Sequence, residues 1–317
     1  MNLSVSVVIA SYNAGSSLRR SLQSISESTI APLEVVVVDD CSTDGSTDGL
    51  AVIRTAANCG PARARNLGAR SAKGDLLFFV DSDVCVHRDT IERVCATFAS
   101  DESLDAVIGA YDDSPDSKGF LSQYRNLMHC FVHRTGSRQA FTFWSGCGAI
   151  RRDVFFEFGG FDERFTRPSI EDIELGYRLV EGGRRILLHP EIEVKHLKHW
   201  TFRQMVKTDV FDRGIPWTEL ILRHRQMPND LNLQTGQRAS VILVYIQLFF
   251  WVTGYFIYAG IVLLFVVLLN LPFYSFLARR RGFLFALAAI PFHLLYHFYN
   301  GISFGIGLLR WSTSRVR

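Results

Sequence analysis

Residues 76–80, Leu-Leu-Phe-Phe-Val, run directly into Asp81-Ser82-Asp83. The run is short, wholly apolar and preceded by the turn pair Gly74-Asp75, which predicts a buried strand. A strand apolar at every position needs cover on both faces, so the chain is constrained to a layered α/β arrangement. Strand side chains alternate, so an extended chain projects Asp81 and Asp83 to the same side. Two carboxylates at the carboxyl end of a buried strand can hold a divalent cation and, through it, a phosphate. The same Asp-Ser-Asp is also ordinary in a turn, so the rest of the chain decides between the two.

Strand and helix patterns alternate from the start. Residues 5–10 are apolar and β-branched and end at Ser11-Tyr12-Asn13. Leu18, Leu22 and Ile25 then mark one face of an amphipathic helix. A second strand, residues 34–38, ends at Asp39-Asp40, and Ser42-Thr43-Asp44-Gly45 signals a turn and a helix start. A short strand at 52–54 precedes the loop Asn58-Cys59-Gly60-Pro61, after which Arg63, Arg65 and Asn66 open a helix. Further elements are expected at 89–98 (helix), 105–109 (strand), 170–179 (a helix with an acidic start) and 186–188 with 192–194 (strands). The segment 119–138, rich in Phe, Tyr, Arg and His, shows no clear period, and Trp144-Ser145-Gly146-Cys147-Gly148 is small and tight. Alternation of this kind predicts an open, mostly parallel sheet flanked by helices. Ligands bind such sheets outside the carboxyl ends of the strands. Three strand ends, carrying Tyr12, Asp39 and Asp81 with Asp83, converge there.

A net charge of +3 over 317 residues is too small for a nucleic-acid binder, and no zinc-finger spacing or long basic tract is present. Six cysteines lie scattered without a CxxC pair, which predicts reduced thiols. Met1-Asn2-Leu3-Ser4 runs straight into a strand, so no secretory leader is expected.

In order along the chain, Val7-Val8-Ile9-Ala10-Ser11-Tyr12-Asn13, Val36-Val37-Val38-Asp39-Asp40, Gly60-Pro61-Ala62-Arg63-Ala64-Arg65-Asn66, Asp81-Ser82-Asp83, Gly159-Gly160-Phe161-Asp162-Glu163 and Glu171-Asp172 resemble the family 2 glycosyltransferases of GT-A fold. The resemblance covers roughly residues 5–198. It implies a nucleotide-sugar donor, with a UDP-sugar expected, and a divalent cofactor, Mg²⁺ or Mn²⁺. Tyr12 and Asp39 would hold the nucleobase, with a backbone contact from Ala10, and Arg65 would approach the pyrophosphate. Asp83 would ligate the cation, and Asp81 would contact the ribose or the metal. His196 would either complete the metal site or serve structurally. Asp172 would be the general base, with Glu171 orienting it or the acceptor. The chain departs from the processive synthases, which carry Gln-x-x-Arg-Trp where only His199-Trp200 stands here. After Asp83 it also departs from the dolichol-phosphate sugar synthases.

At residue 239 the character changes. Residues 239–278 carry no charged side chain; Arg279-Arg280-Arg281 interrupts, and residues 282–309 are again uncharged. A bilayer-spanning helix needs about 20 apolar residues. The expected organisation is a catalytic domain over 1–230, ending in basic-aromatic interfacial helices, and a membrane region over 231–317. The localisation expected is multi-pass, with the catalytic domain cytoplasmic. A two-helix hairpin and a three-span arrangement both fit, and only the second keeps the three arginines inside. The reading is an inverting, metal-dependent enzyme of glycan or cell-envelope biosynthesis. It would move a sugar to a lipid-linked or membrane-proximal hydroxyl. The alternatives are a non-catalytic nucleotide-sugar-binding membrane subunit, or a small transporter subunit with a regulatory head.

Overall fold

The computed structural model describes residues 3–314. The chain forms two compact units, Met1–His199 and Trp200–Arg317. The basic-aromatic segment between 200 and 230 is grouped by its contacts with the helices that follow it.

The first unit is built on one sheet. Its elements are β1 (Val5–Ser11), α1 (Ser17–Ser26), β2 (Glu34–Asp39), β3 (Ile53–Arg54), α2 (Pro61–Ser71), β4 (Leu76–Val80), β5 (Val84–Val86), α3 (Thr90–Ser100), β6 (Ala106–Tyr111), α4 (Phe120–Thr135), β7 (Cys147–Arg151), α5 (Arg152–Glu157), α6 (Glu171–Glu181) and β8 (Ile186–His196). The strand order is β3-β2-β1-β4-β7-β6-β8-β5. The β3, β2, β1 and β4 strands are mutually parallel, so the ends of β1, β2 and β4 open on one side. Because β7 runs antiparallel to β4, pairing Cys147 with Val80, the sheet is mixed. That reversal brings the start of β7 beside the end of β4.

Burial follows the apolar pattern. Every residue of β4 is sealed from solvent. Phe79 packs against Phe155 and Phe161 at ring-centroid distances of 5.3 and 5.1 Å. Removing such a ring costs about 3–5 kcal/mol. α1 turns Leu18 and Ile25 inward, as their spacing predicts. Three elements differ from expectation. Ser42 to Gly45 forms turns with no helix after them. The aperiodic stretch is the 16-residue helix α4, buried on nearly all sides, so no amphipathic stripe marks it. The two short strands near 190 are one strand, β8. It admits Pro190 where its register against β6 slips between Ile108 and Ala110.

The second unit is helical. It runs through α7 (Phe202–Lys207), a π-helical turn (Thr208–Gly214), α8 (Ile215–His224), a 3₁₀ turn (Leu231–Leu233), α9 (Thr235–Val252), α10 (Phe256–Leu269), α11 (Leu271–Arg281) and α12 (Phe283–Ser314). A capping box between Thr201 and Gln204 starts α7. Asn270 and Pro272 break the apolar run between α10 and α11, which are bent by 63°. Among the described residues, only α12, over Phe283–Thr313, is long and apolar enough to cross a membrane by itself; α10 and α11 meet that condition only as a bent pair.

Candidate active site

The site residues gather where β1, β2, β4 and β8 end. At the end of β1, Tyr12 is 51% exposed and sits on a loop fixed by Asn13, whose Oδ1 accepts from the Thr43 backbone N–H at 2.8 Å. Ala10 pairs with Val38 inside the sheet. Asp39, at the end of β2, is fully buried. Its carboxylate accepts from the Ser42 N–H (2.9 Å), the Thr47 hydroxyl (3.0 Å) and Arg54 Nη1 (2.8 Å). Burial opposes its ionisation, and the Ser42, Thr47 and Arg54 contacts overcome that, holding the group below the usual carboxylate range. Arg54 therefore covers the carboxylate expected to read a nucleobase.

Asp40, unassigned from sequence, organises the next loop. Its carboxylate accepts from the Cys59 and Gly60 N–H groups at 2.9 and 2.8 Å. Gly60 has φ +90°, and a Cβ there would lie 2.5 Å from the Thr166 carbonyl. The sharp entry into α2 thus depends on glycine. α2 presents Arg65 inward and buried. Its guanidinium donates to Glu171 Oε1 at 2.8 Å and Asp81 Oδ1 at 2.7 Å. Burial works against its charge, but Asp81, Glu171 and Asp172 outweigh burial and raise its pKa further. One helical turn of α2 also carries Asn66, whose amide brackets Phe161: Nδ2 donates to its carbonyl at 2.8 Å and Oδ1 accepts from its N–H at 2.9 Å. That clamps the Gly-Gly-Phe-Asp-Glu turn onto the site.

The chain does not stay extended after Val80. The Val84 N–H donates to the Asp81 carbonyl at 3.0 Å, closing a turn over Asp81-Ser82-Asp83. The two carboxylates consequently face different partners, contrary to the alternation expected. Asp81 meets Arg65, whereas Asp83 Oδ2 lies 3.6 Å from His196 Nε2 at the end of β8. Burial favours the neutral acid at Asp83, and His196 and Lys198 reverse that, lowering its pKa to about 2.

Glu171 and Asp172 begin α6. Glu171 is buried between Arg65 and the Ser169 N–H, which it accepts at 2.9 Å. Burial raises its pKa, Arg65 pulls it down, and the neighbouring Asp172 adds to the rise. Asp172 is half-buried. Its Oδ2 accepts from both the N–H and the hydroxyl of Ser145 at 3.0 Å, and its Oδ1 accepts from the Ile173 N–H at 2.8 Å. Ser145 lies in the tight segment noted in the sequence, two residues before β7, which places it beside the end of β4. α6 comes this close because residue 176 is glycine; a Cβ there would meet the Phe143 backbone nitrogen at 2.3 Å.

The donor set fits a divalent cation held in part by something else. Among the described residues no three His, Cys, Asp or Glu side chains form a metal cluster. A cation of the Mg²⁺ type needs only one or two carboxylates when phosphate oxygens and water fill the rest of its octahedron. The Asp83 and His196 atoms, 3.6 Å apart, are close enough to be adjacent ligands of one ion.

The family described as "Glycosyl transferase family 2" matches residues 6–159, most of the first unit. Over those residues the first unit is similar to glycosyl transferase family 2. The chain is 32% identical over 220 residues to a validoxylamine A glucosyltransferase of Streptomyces hygroscopicus subsp. limoneus, covering 56% of this chain and 48% of that protein. It is 29% identical over 256 residues to a pre-mycofactocin glycosyltransferase of Mycobacterium tuberculosis, covering 76% and 52%. The chain thus spans about half the length of the curated relatives it matches. In fold it is similar to the mannosyltransferase PcManGT from Pyrobaculum calidifontis, solved with GDP-Man and Mn²⁺. The TM-score is 0.59 at 18% identity, over 96% of this chain and 87% of that one. The first unit therefore has the GT-A fold.

Proposed function

We propose that this protein transfers a glycosyl group from a nucleotide-sugar donor to an acceptor hydroxyl at a membrane, with inversion, in glycan or cell-envelope biosynthesis. The observation that carries the reading is the pairing of two separate acidic centres at one end of the sheet. One is Asp83 facing His196; the other is Asp172 held by Ser145. Arg65 links Asp81 on the first side to Glu171 on the second.

Each residue then has a physical role. Tyr12, half exposed, offers its ring to a nucleobase, with Ala10 lending a backbone contact. Asp39 meets a ring N–H once the guanidinium of Arg54, itself half exposed, moves aside. Asp83 and His196 would hold a divalent cation together with the donor diphosphate, and Asp81 would contact the ribose. A bound cation would neutralise the charge that grows on the departing diphosphate. Arg65 supplies a fixed positive charge beside the same group. As the acceptor oxygen bonds to the anomeric carbon, the carbon–oxygen bond to the diphosphate breaks and the leaving group keeps its electron pair. Asp172 takes the acceptor proton. Glu171, locked to Arg65, keeps α6 and its base in place. A single displacement inverts the anomeric centre.

A lipid-linked or membrane-proximal acceptor rests on the second unit, where α12 is long and apolar enough to cross a membrane by itself and the bent pair of α10 and α11 would be needed for any second span. Many of that unit's large apolar side chains face outward, with Ile257 78% exposed. Six free thiols suit a catalytic unit on the reducing, cytoplasmic side.

The test uses purified full-length protein in detergent with a panel of UDP-, GDP- and dTDP-sugars and Mn²⁺, scored for release of nucleoside diphosphate and for thermal shift. At least one donor should be turned over, with the rate lost in excess EDTA. Undiminished turnover in EDTA would remove the cation from the reading. No turnover and no thermal shift with any donor would remove the reading itself.

A further inference from the structure

We propose that Asn126 is the positioning residue of the cation site. Its side-chain carbonyl fixes His196 in the tautomer whose Nε2 faces Asp83 as a lone-pair donor. The inference rests on the reading of Asp83 and His196 as a cation-holding pair.

The backbone of His196 is already placed. Residue 196 is the last of β8 and pairs with Val84 of β5, immediately after Asp83. What remains is rotation of the ring and the choice of protonated nitrogen, and Tyr111 and Asn126 act on these. Tyr111, the last residue of β6, stacks on the imidazole with centroids 4.3 Å apart and planes 8° from parallel. Tyr111 is itself wedged edge-on by Trp144 at 4.8 Å. Asn126, from the middle of α4 and buried, brings Oδ1 to 2.6 Å from His196 Nδ1. An amide oxygen only accepts, so Nδ1 must carry the hydrogen. The neutral ring then presents a lone pair at Nε2, 3.6 Å from Asp83 Oδ2. Imidazoles that bind metals are held in this way, the second nitrogen donating to a carbonyl or carboxylate.

The other half of the amide strengthens the point. Asn126 Nδ2 is buried and has no hydrogen-bond partner. An orphaned buried donor destabilises the fold. A leucine of similar size would avoid that cost in this interior, so the stability of α4 does not account for the asparagine. The carbonyl facing His196 does.

The opposite amide orientation would put Nδ2 against Nδ1 and a proton on Nε2, blocking a cation. Substitution separates the two orientations. Full-length protein in detergent is titrated with MnCl₂ in the presence of UDP, and separately of GDP. Free aqueous Mn²⁺ is followed by its electron paramagnetic resonance signal. Asn126→Leu should weaken Mn²⁺ binding about 10–100-fold, as loss of an outer partner of a metal-binding histidine does. Asn126→Asp offers only acceptors at the same place, so it should bind Mn²⁺ at least as well as wild type. Circular dichroism and melting of each variant establish folding, and Asn126→Asp decides the matter even where Asn126→Leu fails to fold. Lost affinity in Asn126→Asp, or wild-type affinity in a folded Asn126→Leu, would overturn the inference. Asp83→Ala serves as the reference. Where it abolishes binding and Asn126→Leu does not, only the positioning role falls. Where Asp83→Ala itself binds like wild type, the cation reading falls and this inference with it.

Discussion

In the first unit, Val7, Phe78 and Phe79 are sealed from solvent and charged side chains populate the surface, whereas in the second Ile257, Phe283 and Leu284 point outward while Ser240, Asn270, His293 and His297 are buried. Two pairs of buried polar groups in the second unit bond to each other. Asn270 Nδ2 donates to Ser240 Oγ at 2.8 Å, and the Tyr299 hydroxyl donates to Asp209 Oδ2 at 2.6 Å. The second unit thus exposes large apolar side chains of the kind that the first unit mostly buries. Apolar side chains turn inward when the surroundings are water and lose that drive when the surroundings are hydrocarbon. The difference teaches that the outside of each unit, more than its inside, identifies its solvent. It also locates the chemistry, because only the first unit collects partnered carboxylates at the open end of a sheet.

The largest expected effect tests that location. Asp172→Asn keeps the size and the Ser145 contacts but cannot take a proton. Loss of a general base costs about 10²–10⁴ in rate. Transfer should collapse, while nucleoside diphosphate binding, measured by calorimetry, stays near wild type. A parallel fall in both would make Asp172 a binding residue and leave the catalytic half of the comparison without its base.

A matched pair of substitutions sharpens the contrast in solvent. Leu33 in the first unit is 56% exposed and Leu264, in the middle of α10, is 57% exposed. Arginine at a water-facing site typically changes stability by less than about 0.5 kcal/mol. Arginine at the centre of a membrane helix costs about 2.5–3.5 kcal/mol of insertion. Leu264→Arg should therefore reduce the carbonate-resistant membrane fraction strongly, and Leu33→Arg should leave it unchanged. Equal behaviour of the two variants would mean that both leucines face water, and the contrast in polarity would lose its meaning.

The parts legible in the sequence were those encoded by local pattern. The run from Leu76 to Val80 announces a buried strand because every side chain in it is apolar, and the strand-end carboxylates mark the site. The turn at Asp81-Ser82-Asp83 was not legible, because the same residues suit an extended chain and a turn alike. α4 was hidden for the opposite reason: buried on most sides, it has no polar face to set a period. The pairings that organise the site span long separations, 106 residues for Arg65 with Glu171 and 70 for His196 with Asn126. No local window contains both members. Ser145 left a trace only as part of a run of small residues, and Arg54 over Asp39 left none, since an arginine ending a two-residue strand is unremarkable in sequence.

The smallest expected effect lies in the charged network of the first unit. His87 Nε2 lies 3.0 Å from Asp112 Oδ2, and Lys195 Nζ lies 3.2 Å from the same oxygen. The hydrogen bond to Asp112 raises the pKa of His87 against the opposing effect of burial; Glu193 adds to the rise and Lys195 subtracts from it. A histidine whose folded pKa is raised stabilises the fold fully below its unfolded value, near 6.5, and that stabilisation disappears as pH climbs through the folded value. At Asp112, burial raises the carboxyl pKa and the contacts with His87, Ser114 and Lys195 more than offset it, lowering the group overall. Its contribution is therefore present above the ordinary carboxylate range and lost as pH falls through the lowered value. The two together favour mildly acidic conditions. His87 is partly exposed, so the effect stays within about 1 kcal/mol. His87→Ala should lower the melting temperature of the full-length protein at pH 6 and change it less at pH 9. A loss of equal size at both values would assign His87 a packing role and remove this ion pair from what distinguishes the first unit from the second.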